Sequence, residues 1–365
     1  MIEFKEIRKK NIISTINDSK FWDDSNWAVT KHRLYSNYHN PFCDDEDIIL
    51  LIAFLDKRVV GYLGCVIGKI NNNGQQEKFS WLSTIWVNIQ GQGLATKLVL
   101  KMNELKQGKI GISAFNDMSK RVFDKSGVFN YLEDKIVLIG EIRSNLKERY
   151  SHRFKKFKIG NHLLGTLDTI NNIFINYRLK NLKFDAGNNI DIEYVKYIDE
   201  ETSNLIKESS KNDLCYKDEK YLGWLSTYVW IYQAPLCKLT KKSRYFFSDY
   251  EEIYQIYQIK IMDKEKFIGF LILQNRGKTL KVLYLFRKKD SEIKPFADLI
   301  YMHAIKLKAS RLELSDPEVK DHMMSNYPFF SSIISKRHAI ISKSFDKKLL
   351  KNTSLHYGDG DGAFV

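Results

Sequence analysis

Hydrophobic and polar positions along the first 145 residues alternate between two periods. Ile48 to Phe54 and Val59 to Ile67 are apolar runs rich in β-branched residues, split by Leu55-Asp56-Lys57-Arg58. Their length and composition predict an antiparallel hairpin around a charged turn. Phe79-Ser80-Trp81-Leu82-Ser83-Thr84-Ile85-Trp86-Val87 reads as another strand. The period then changes: Leu94, Leu98, Val99, Met102 and Leu105 recur at helical spacing and predict a helix over 94–105. Gly111-Ile112-Ser113-Ala114-Phe115 returns to strand character, and a short helix follows Asn116 and ends at Gly127-Val128.

After Glu141 the strand pattern stops, and the basic run Arg149 to Lys158 reads as a connector. Leu163, Leu164, Leu167, Ile170, Phe174 and Tyr177 then recur at helical spacing. The plain expectation is a bridging helix packed between domains. An interfacial membrane helix is disfavoured, because Asn171, Asn172 and Asn176 stand where lysines would be expected.

Beyond Ile190 the pattern starts again. Asp191 to Tyr197 reads as a strand and Glu200 to Ser209 as a helix. Tyr254 to Met262 and Phe267 to Gln274 form a hairpin pattern around Asp263-Lys264-Glu265-Lys266, followed by a strand at Leu280–Phe286, a helix near Phe296–Ala309 and a strand at Arg311–Leu314. Asp56 to Leu63 and Asp263 to Leu271 share the order charged turn, two hydrophobes, glycine, aromatic, leucine, apart from one inserted residue. The expected organisation is 1–145, a connector and bridging helix over 146–189, and a diverged repeat over 190–365.

Between the strand ending at Val87 and the helix beginning at Leu94 lies Gln90-Gly91-Gln92-Gly93-Leu94-Ala95-Thr96. Glycines there permit a sharp turn with open amides, and the first helical turn adds unpaired N–H groups and the positive end of its dipole. A pyrophosphate suits such a cradle. The turn has neither the P-loop lysine nor the third glycine of a dinucleotide fingerprint, so ATP and NAD are poor candidates.

The order strand, Gln-x-x-Gly-x-Ala turn, helix, strand, Asn, helix, Gly-hydrophobe resembles the GNAT superfamily of acyl-CoA-dependent N-acyltransferases. Gln90, Gly93 and Ala95 match its turn motif, and Asn116, Ser119, Val122, Phe123, Gly127 and Val128 fall on its second motif. The resemblance covers about residues 1–145. It implies an α/β fold with a mixed, mostly antiparallel GNAT-type sheet flanked by helices, here repeated in two units, the second degenerate. It also implies transfer of an acyl group from acetyl-CoA or a related acyl-CoA to a primary amine. By the same resemblance, Gln90, Gly91, Gln92, Gly93, Leu94, Ala95 and Thr96 would hold the pyrophosphate. Trp86 and Val87 would hold the pantetheine and thioester, and Asn116 the far end of the pantetheine or the thiol.

Two departures stand out. The tyrosine that many members use as general acid falls on Phe123, and the strand before the turn has no carboxylate where many carry a glutamate base. Ser83 and Thr84 are the nearest polar side chains and would order a water. In Thr30 to Pro41, which lies where the family places acceptor-binding helices, His32 or His39 would supply a base that titrates near neutrality. The other reading of that segment is a surface helix ending at Asn40-Pro41. If Ile85 rather than Val87 ends the strand, the approach to the turn needs no deletion. In the second repeat Arg287 to Pro295 holds no glycine, so coenzyme A binding is not expected there.

A net charge of +14 on 365 residues raises nucleic acid as a partner. Lys, Asn and Ile are abundant throughout, which points to a compositional habit, so no nucleic acid is expected except tRNA. That exception belongs to the alternative enzyme, a Fem-type aminoacyl-tRNA-dependent transferase. A non-catalytic acyl-CoA-binding protein is the third reading. The acceptor is expected to be a small amine, with an amino sugar nucleotide, an amino acid and a small polyamine all compatible and the basic surface mildly favouring a phosphorylated one. No apolar run is long enough to span a bilayer, and Cys43, Cys65, Cys215 and Cys237 lack metal spacing, so a cytoplasmic protein with reduced thiols is expected. Gly358-Asp359-Gly360-Asp361-Gly362 begins like a calcium loop but ends too soon for the closing glutamate, so no metal site is expected and the segment reads as a flexible acidic tail.

Overall fold

The computed structural model describes residues 2–22, 29–72, 75–88, 93–150, 158–182, 184, 190–236, 250–346 and 354–364. The chain folds into two compact units that interleave in sequence. The first takes Met1–Lys135, Lys196–Glu252 and Arg337–Val365, and the second takes Ile136–Val195 and Ile253–Lys336. Each unit is a mixed, mostly antiparallel sheet with helices, so the expected repeated architecture is present.

The first unit opens with β1 (Ile2–Arg8) and the short helices α1 (Ile12–Asn17), α2 (Ser19–Trp22) and α3 (Lys31–Tyr38). Then come β2 (Ile48–Leu55), β3 (Arg58–Asn72) and β4 (Gln75–Val87), followed by α4 (Leu94–Leu105), β5 (Ile110–Ile112), α5 (Asp117–Ser126) and β6 (Phe129–Tyr131). The strand β7 (Lys135–Glu141) belongs to the other sheet, where it pairs with β14.

The second unit contains α6 (Leu146–Tyr150), α7 (Lys158–Lys180) and β8 (Ile190–Tyr194). Helices α8 (Glu200–Ser209) and α9 (Glu219–Thr227), with the short strands β9 (Tyr232–Gln233) and β10 (Tyr250–Glu251), return to the first unit. The second sheet continues with β11 (Tyr254–Asp263), β12 (Lys266–Arg276), β13 (Thr279–Arg287), α10 (Lys294–Lys306), β14 (Arg311–Leu314), α11 (Pro317–Asn326) and β15 (Ser331–Arg337). Finally β16 (Ile340–Ser342) joins the first sheet between β5 and β6. The orders are β1-β2-β3-β4-β5-β16-β6 and β15-β7-β14-β13-β12-β11-β8.

This interleaving corrects the linear division at residues 145 and 190. The backbone donors of β7 are satisfied in the second sheet and those of β16 in the first, so no cut of the chain separates the units. Gly111 is what admits β16: a Cβ there would sit 2.7 Å from the Phe79 ring and 2.8 Å from the Ile340 carbonyl.

The repeat is visible in backbone detail. Both hairpins turn through two residues at positive φ, Asp56 and Lys57 in the first and Lys264 and Glu265 in the second. Both sheets carry a bulge on the strand after the hairpin, at Thr84 between β3 and β4 and at Leu283 between β12 and β13. Of these two bulge residues only Thr84 has positive φ.

The C-terminal segment corrects the flexible-tail expectation. Tyr357, Asp359, Asp361, Ala363 and Phe364 are all buried, and the Phe364 ring stacks on Trp230 with centroids 4.3 Å apart. Burial of charge requires compensation. Lys217 Nζ lies 2.7 Å from Asp213 Oδ2 and 3.5 Å from Asp359 Oδ1, while His356 Nε2 lies 2.9 Å from Asp213 Oδ2 and Ser354 Oγ donates to Asp213 Oδ1 at 2.6 Å. Burial would raise the Asp213 carboxyl, but His356 and Lys217 hold it well below the usual carboxylate range. Burial would lower Lys217, and Asp359 and Asp213 lift it above the ordinary lysine value instead.

Removing one partner of a buried pair leaves the other charge stranded, so Lys217→Met is expected to cost about 3–5 kcal/mol in urea unfolding; a loss below about 1 kcal/mol would mean that the pair is solvated. Because Asp213 is depressed in the folded state, its stabilising effect is complete above the unfolded carboxylate value and disappears as pH falls below it. Unfolding curves for the wild type and for Asp213→Asn should therefore converge in acid and separate at neutral pH.

Candidate active site

The site is built around the Thr84 bulge. In the β3–β4 ladder Leu63 faces Ile85 and Gly64 faces Ser83, so Thr84 has no partner and its φ is 63°. β4 pairs with β5 only at Ser80 and Trp81. From Leu82 onward the two strands diverge, leaving the β5-side edge of β4 outside the ladder, and the chain then reaches α4, whose N-cap Gly93 has φ 79°.

Helix α3 supplies the cation. Thr30 caps it by accepting from the Arg33 amide, and Arg33 reaches β4, where its guanidinium donates to the Ser83 carbonyl at 3.1 Å and to the Thr84 hydroxyl. The guanidinium also lies over the Trp230 ring, 4.1 Å from its centroid. A Cβ at residue 64 would meet Arg33 at 3.0 Å, which is why a glycine suits that point of β3. Burial pulls Arg33 down to about 10, with Asp361 offsetting part of the shift, so it remains a cation at neutral pH.

The C-terminal segment supplies the carboxylate. Ser83 Oγ donates to Asp361 Oδ2 at 2.6 Å and Ser113 Oγ donates to Asp361 Oδ1 at 2.9 Å. Asp361 thus lies across the divergence of β4 from β5, held by one hydroxyl from each side. Gly360, at φ 70°, makes the approach possible, since a Cβ there would lie 2.4 Å from Ser113 Oγ. A carboxylate, which β4 itself does not carry, is thus brought beside it from 278 positions downstream.

Ser83 and Thr84 are in this cluster. His32 faces elsewhere: its ring contacts Tyr232 and Tyr250, with Nε2 3.3 Å from the Tyr250 hydroxyl. His39 stacks on Tyr228 with centroids 4.2 Å apart, and burial with Lys9 lowers its basicity. The neighbouring Arg33, overlooked in the same segment, is the residue that reaches the strand. Helix α3 is also not a surface helix, since Arg33, Leu34, Ser36 and Asn37 are buried.

Trp86 and Val87 lie in regular register, opposite Tyr62 and Gly61, so the irregular position on β4 is Thr84 and not the strand end. Trp86 stacks on Tyr62 at 5.4 Å. Leu94 packs into the space left by Gly61, while Ala95 and Thr96 occupy the half-buried first turn of α4. Gln90, Gly91 and Gln92 lie outside the described residues, as does Cys237. Asn116 caps α5 by accepting from the Ser119 amide at 2.9 Å, which commits its side-chain oxygen. Phe123 is buried against Phe115 and Phe129 and has no proton to give.

Among the described residues no cluster of metal-ligating side chains occurs. The buried thiols are quiet: burial, the leading cause, pushes Cys43 up to about 12, raises Cys65 and raises Cys215 strongly.

No family model and no curated protein matches the chain. Solved structures do. A GCN5-related N-acetyltransferase from Anabaena variabilis ATCC 29413 aligns over 93% of this chain and 72% of its own, at 10% identity and TM-score 0.50. A GCN5-related N-acetyltransferase from Kribbella flavida aligns over 93% and 71%, at 10% identity and TM-score 0.49. N-myristoyltransferase from Saccharomyces cerevisiae with bound myristoyl-CoA aligns over 93% and 82%, at 10% identity and TM-score 0.48. At this identity the likeness establishes architecture alone: the chain has the fold of GCN5-related N-acetyltransferases.

Proposed function

We propose that the chain is an acyl-CoA-dependent N-acyltransferase whose general base is Asp361. The observation that carries this reading is a buried carboxylate held by Ser83 and Ser113 beside a strand bulge and a diverging strand pair. In such a site the acyl-CoA extends along the free edge of β4, with its pyrophosphate toward the α4 N-terminus. The fold permits this placement, and Gly93, Leu94, Ala95 and Thr96 would line the pyrophosphate end. Gln90, Gly91 and Gln92 are assigned to the same role from their motif alone.

The reaction follows from the groups present. The ammonium form of a primary amine gives a proton to Asp361, directly or through a water ordered by Ser83, and the neutral amine attacks the thioester carbon; the proton left on nitrogen goes to the departing thiolate or to solvent. Negative charge develops on the carbonyl oxygen, which the backbone around the Thr84 bulge would receive, assisted by the field of Arg33. The carbon–sulfur bond then breaks, and the sulfur leaves as thiolate because Phe123 has no proton to donate. A carboxylate poised to accept a proton favours turnover over acyl-CoA binding alone. The acceptor is proposed to be a small amine, with a phosphorylated one suited to the net charge of +14.

Two measurements test the reading. Calorimetric titration of acetyl-CoA should give saturable binding to the wild type that is lost in Gly93→Glu, whose charge opposes an anion; the left-handed backbone at φ 79° strains any side chain there, so an unfolding curve confirms that the variant is folded. Absence of binding to the wild type, for acetyl-CoA and longer acyl-CoA alike, would reject the acyltransferase reading. With binding established, Asp361→Asn should lower kcat by about 10²–10⁴-fold while leaving acyl-CoA affinity nearly unchanged. Unchanged kcat, or activation by the substitution, would mean that Asp361 only seats the C-terminal segment.

A further inference from the structure

Helix α7 turns its polar side to the second unit and its apolar side outward. Asp168 accepts from Ser144 Oγ at 2.6 Å and from the amides of Leu146 and Lys147 at 2.7 and 2.9 Å, capping α6 from outside it. Asn172 accepts from the Ser144 amide at 2.8 Å and donates to the Ser144 carbonyl at 2.9 Å, and Asn176 accepts from Arg143 Nε at 3.0 Å. Arg143 in turn donates to the Ala309 carbonyl at 2.6 Å. The asparagines that look out of place on a surface helix are therefore its docking face.

The opposite face carries Leu163, Leu167, Ile170, Ile173, Phe174 and Tyr177, which are 43–73% exposed. Leu163, Leu167, Ile170, Phe174 and Tyr177 follow each other at intervals of four, three, four and three residues. That is the a/d spacing of a helix pair, a narrower stripe than the broad apolar arc of a helix lying in a bilayer surface. Residues 162–177 carry one formal charge, Asp168, and it faces inward, while the basic residues Lys158, Arg178 and Lys180 stand at the two ends of the helix, outside the stripe itself.

We propose that this stripe is the seam of a homodimer, in which α7 packs antiparallel against α7 of a second copy. A two-fold axis would set Leu163 opposite Phe174 and Leu167 opposite Ile170, and would oppose the two helix dipoles. The six side chains expose about 700–800 Å² per copy, one side of a standard stable interface. Each copy carries +14, so an uncharged stripe is where two copies can approach, and added salt should tighten the pair. A groove of about 460 Å³ lined by Lys147, His162, Gly165, Thr166, Thr169 and Ile170 runs beside the stripe and offers room for partner side chains. None of the candidate active-site residues lines it.

Sedimentation velocity on the full chain tests the proposal. The wild type should dimerise with Kd in the low micromolar range, near about −8 kcal/mol, more tightly at high salt. Leu167→Glu/Phe174→Glu should weaken association at least about 100-fold without lowering the unfolding temperature measured well below the Kd, where both proteins are monomers, because both positions are exposed in the single chain. A wild type that stays monomeric at about 100 μM, or a double variant that dimerises equally well, would overturn it. Co-sedimentation of monomeric wild type with phosphatidylserine vesicles, lost in the variant, would assign the stripe to membranes and overturn it too.

Discussion

Burying two carboxylates of the C-terminal segment is the constraint around which the first unit is arranged. Asp359 and Asp361 are at most 9% exposed, and charges withdrawn from water to that extent demand cations and donors nearby. Lys217 and His356 answer one part of the demand at Asp213 and Asp359, and Arg33 with the hydroxyls of Ser83 and Ser113 answers the other. Those partners come from α3, β4, the end of β5 and the stretch between α8 and α9, so seating the segment fixes elements distant in sequence. The same arrangement leaves a carboxylate beside the strand bulge.

The two repeats show how one backbone plan diverges. Each keeps a two-residue hairpin turn at positive φ and a bulge on the following strand. In the first, the bulge falls on a polar residue at positive φ with an arginine against it; in the second, it falls on a buried leucine. The first helix after the bulge begins at a glycine, whereas its counterpart α10 begins with Lys294 and Pro295. The candidate site falls in one repeat, while the other retains the scaffold.

Much of the fold was legible because its signals are local. Periodicity located α4 at Leu94–Leu105 and α8 at Glu200–Ser209 to the residue, and the paired hairpins announced the repeat. What could not be read depends on partners far away in the chain. The exchange of β7 and β16 leaves no periodic trace, since a strand's pattern records that one face is buried and not against which sheet. Asp361 was hidden for the same reason: alternating glycine and aspartate suggests solvent or metal, and only the close approach of Gly360 to Ser113 and of Gly362 to the Tyr357 carbonyl explains why glycine is needed at those two positions. Arg33 lies in the segment Thr30 to Pro41, where histidine is the residue type that ordinarily titrates near neutrality, but reach to the strand, which only the fold reveals, belongs to the arginine. The asparagines of α7 were read as solvent-facing, because periodicity separates two faces without saying which is inside.

The account depends most on the C-terminal segment being part of the folded core. Hydrogen–deuterium exchange on the free chain tests this directly. Amides of residues 357–364 should be protected to the same degree as those of β4, and that protection should fall in Lys217→Met. Exchange of the segment at the rate of an unstructured peptide in the wild type would contradict the placement of Asp361 and the chemistry built on it.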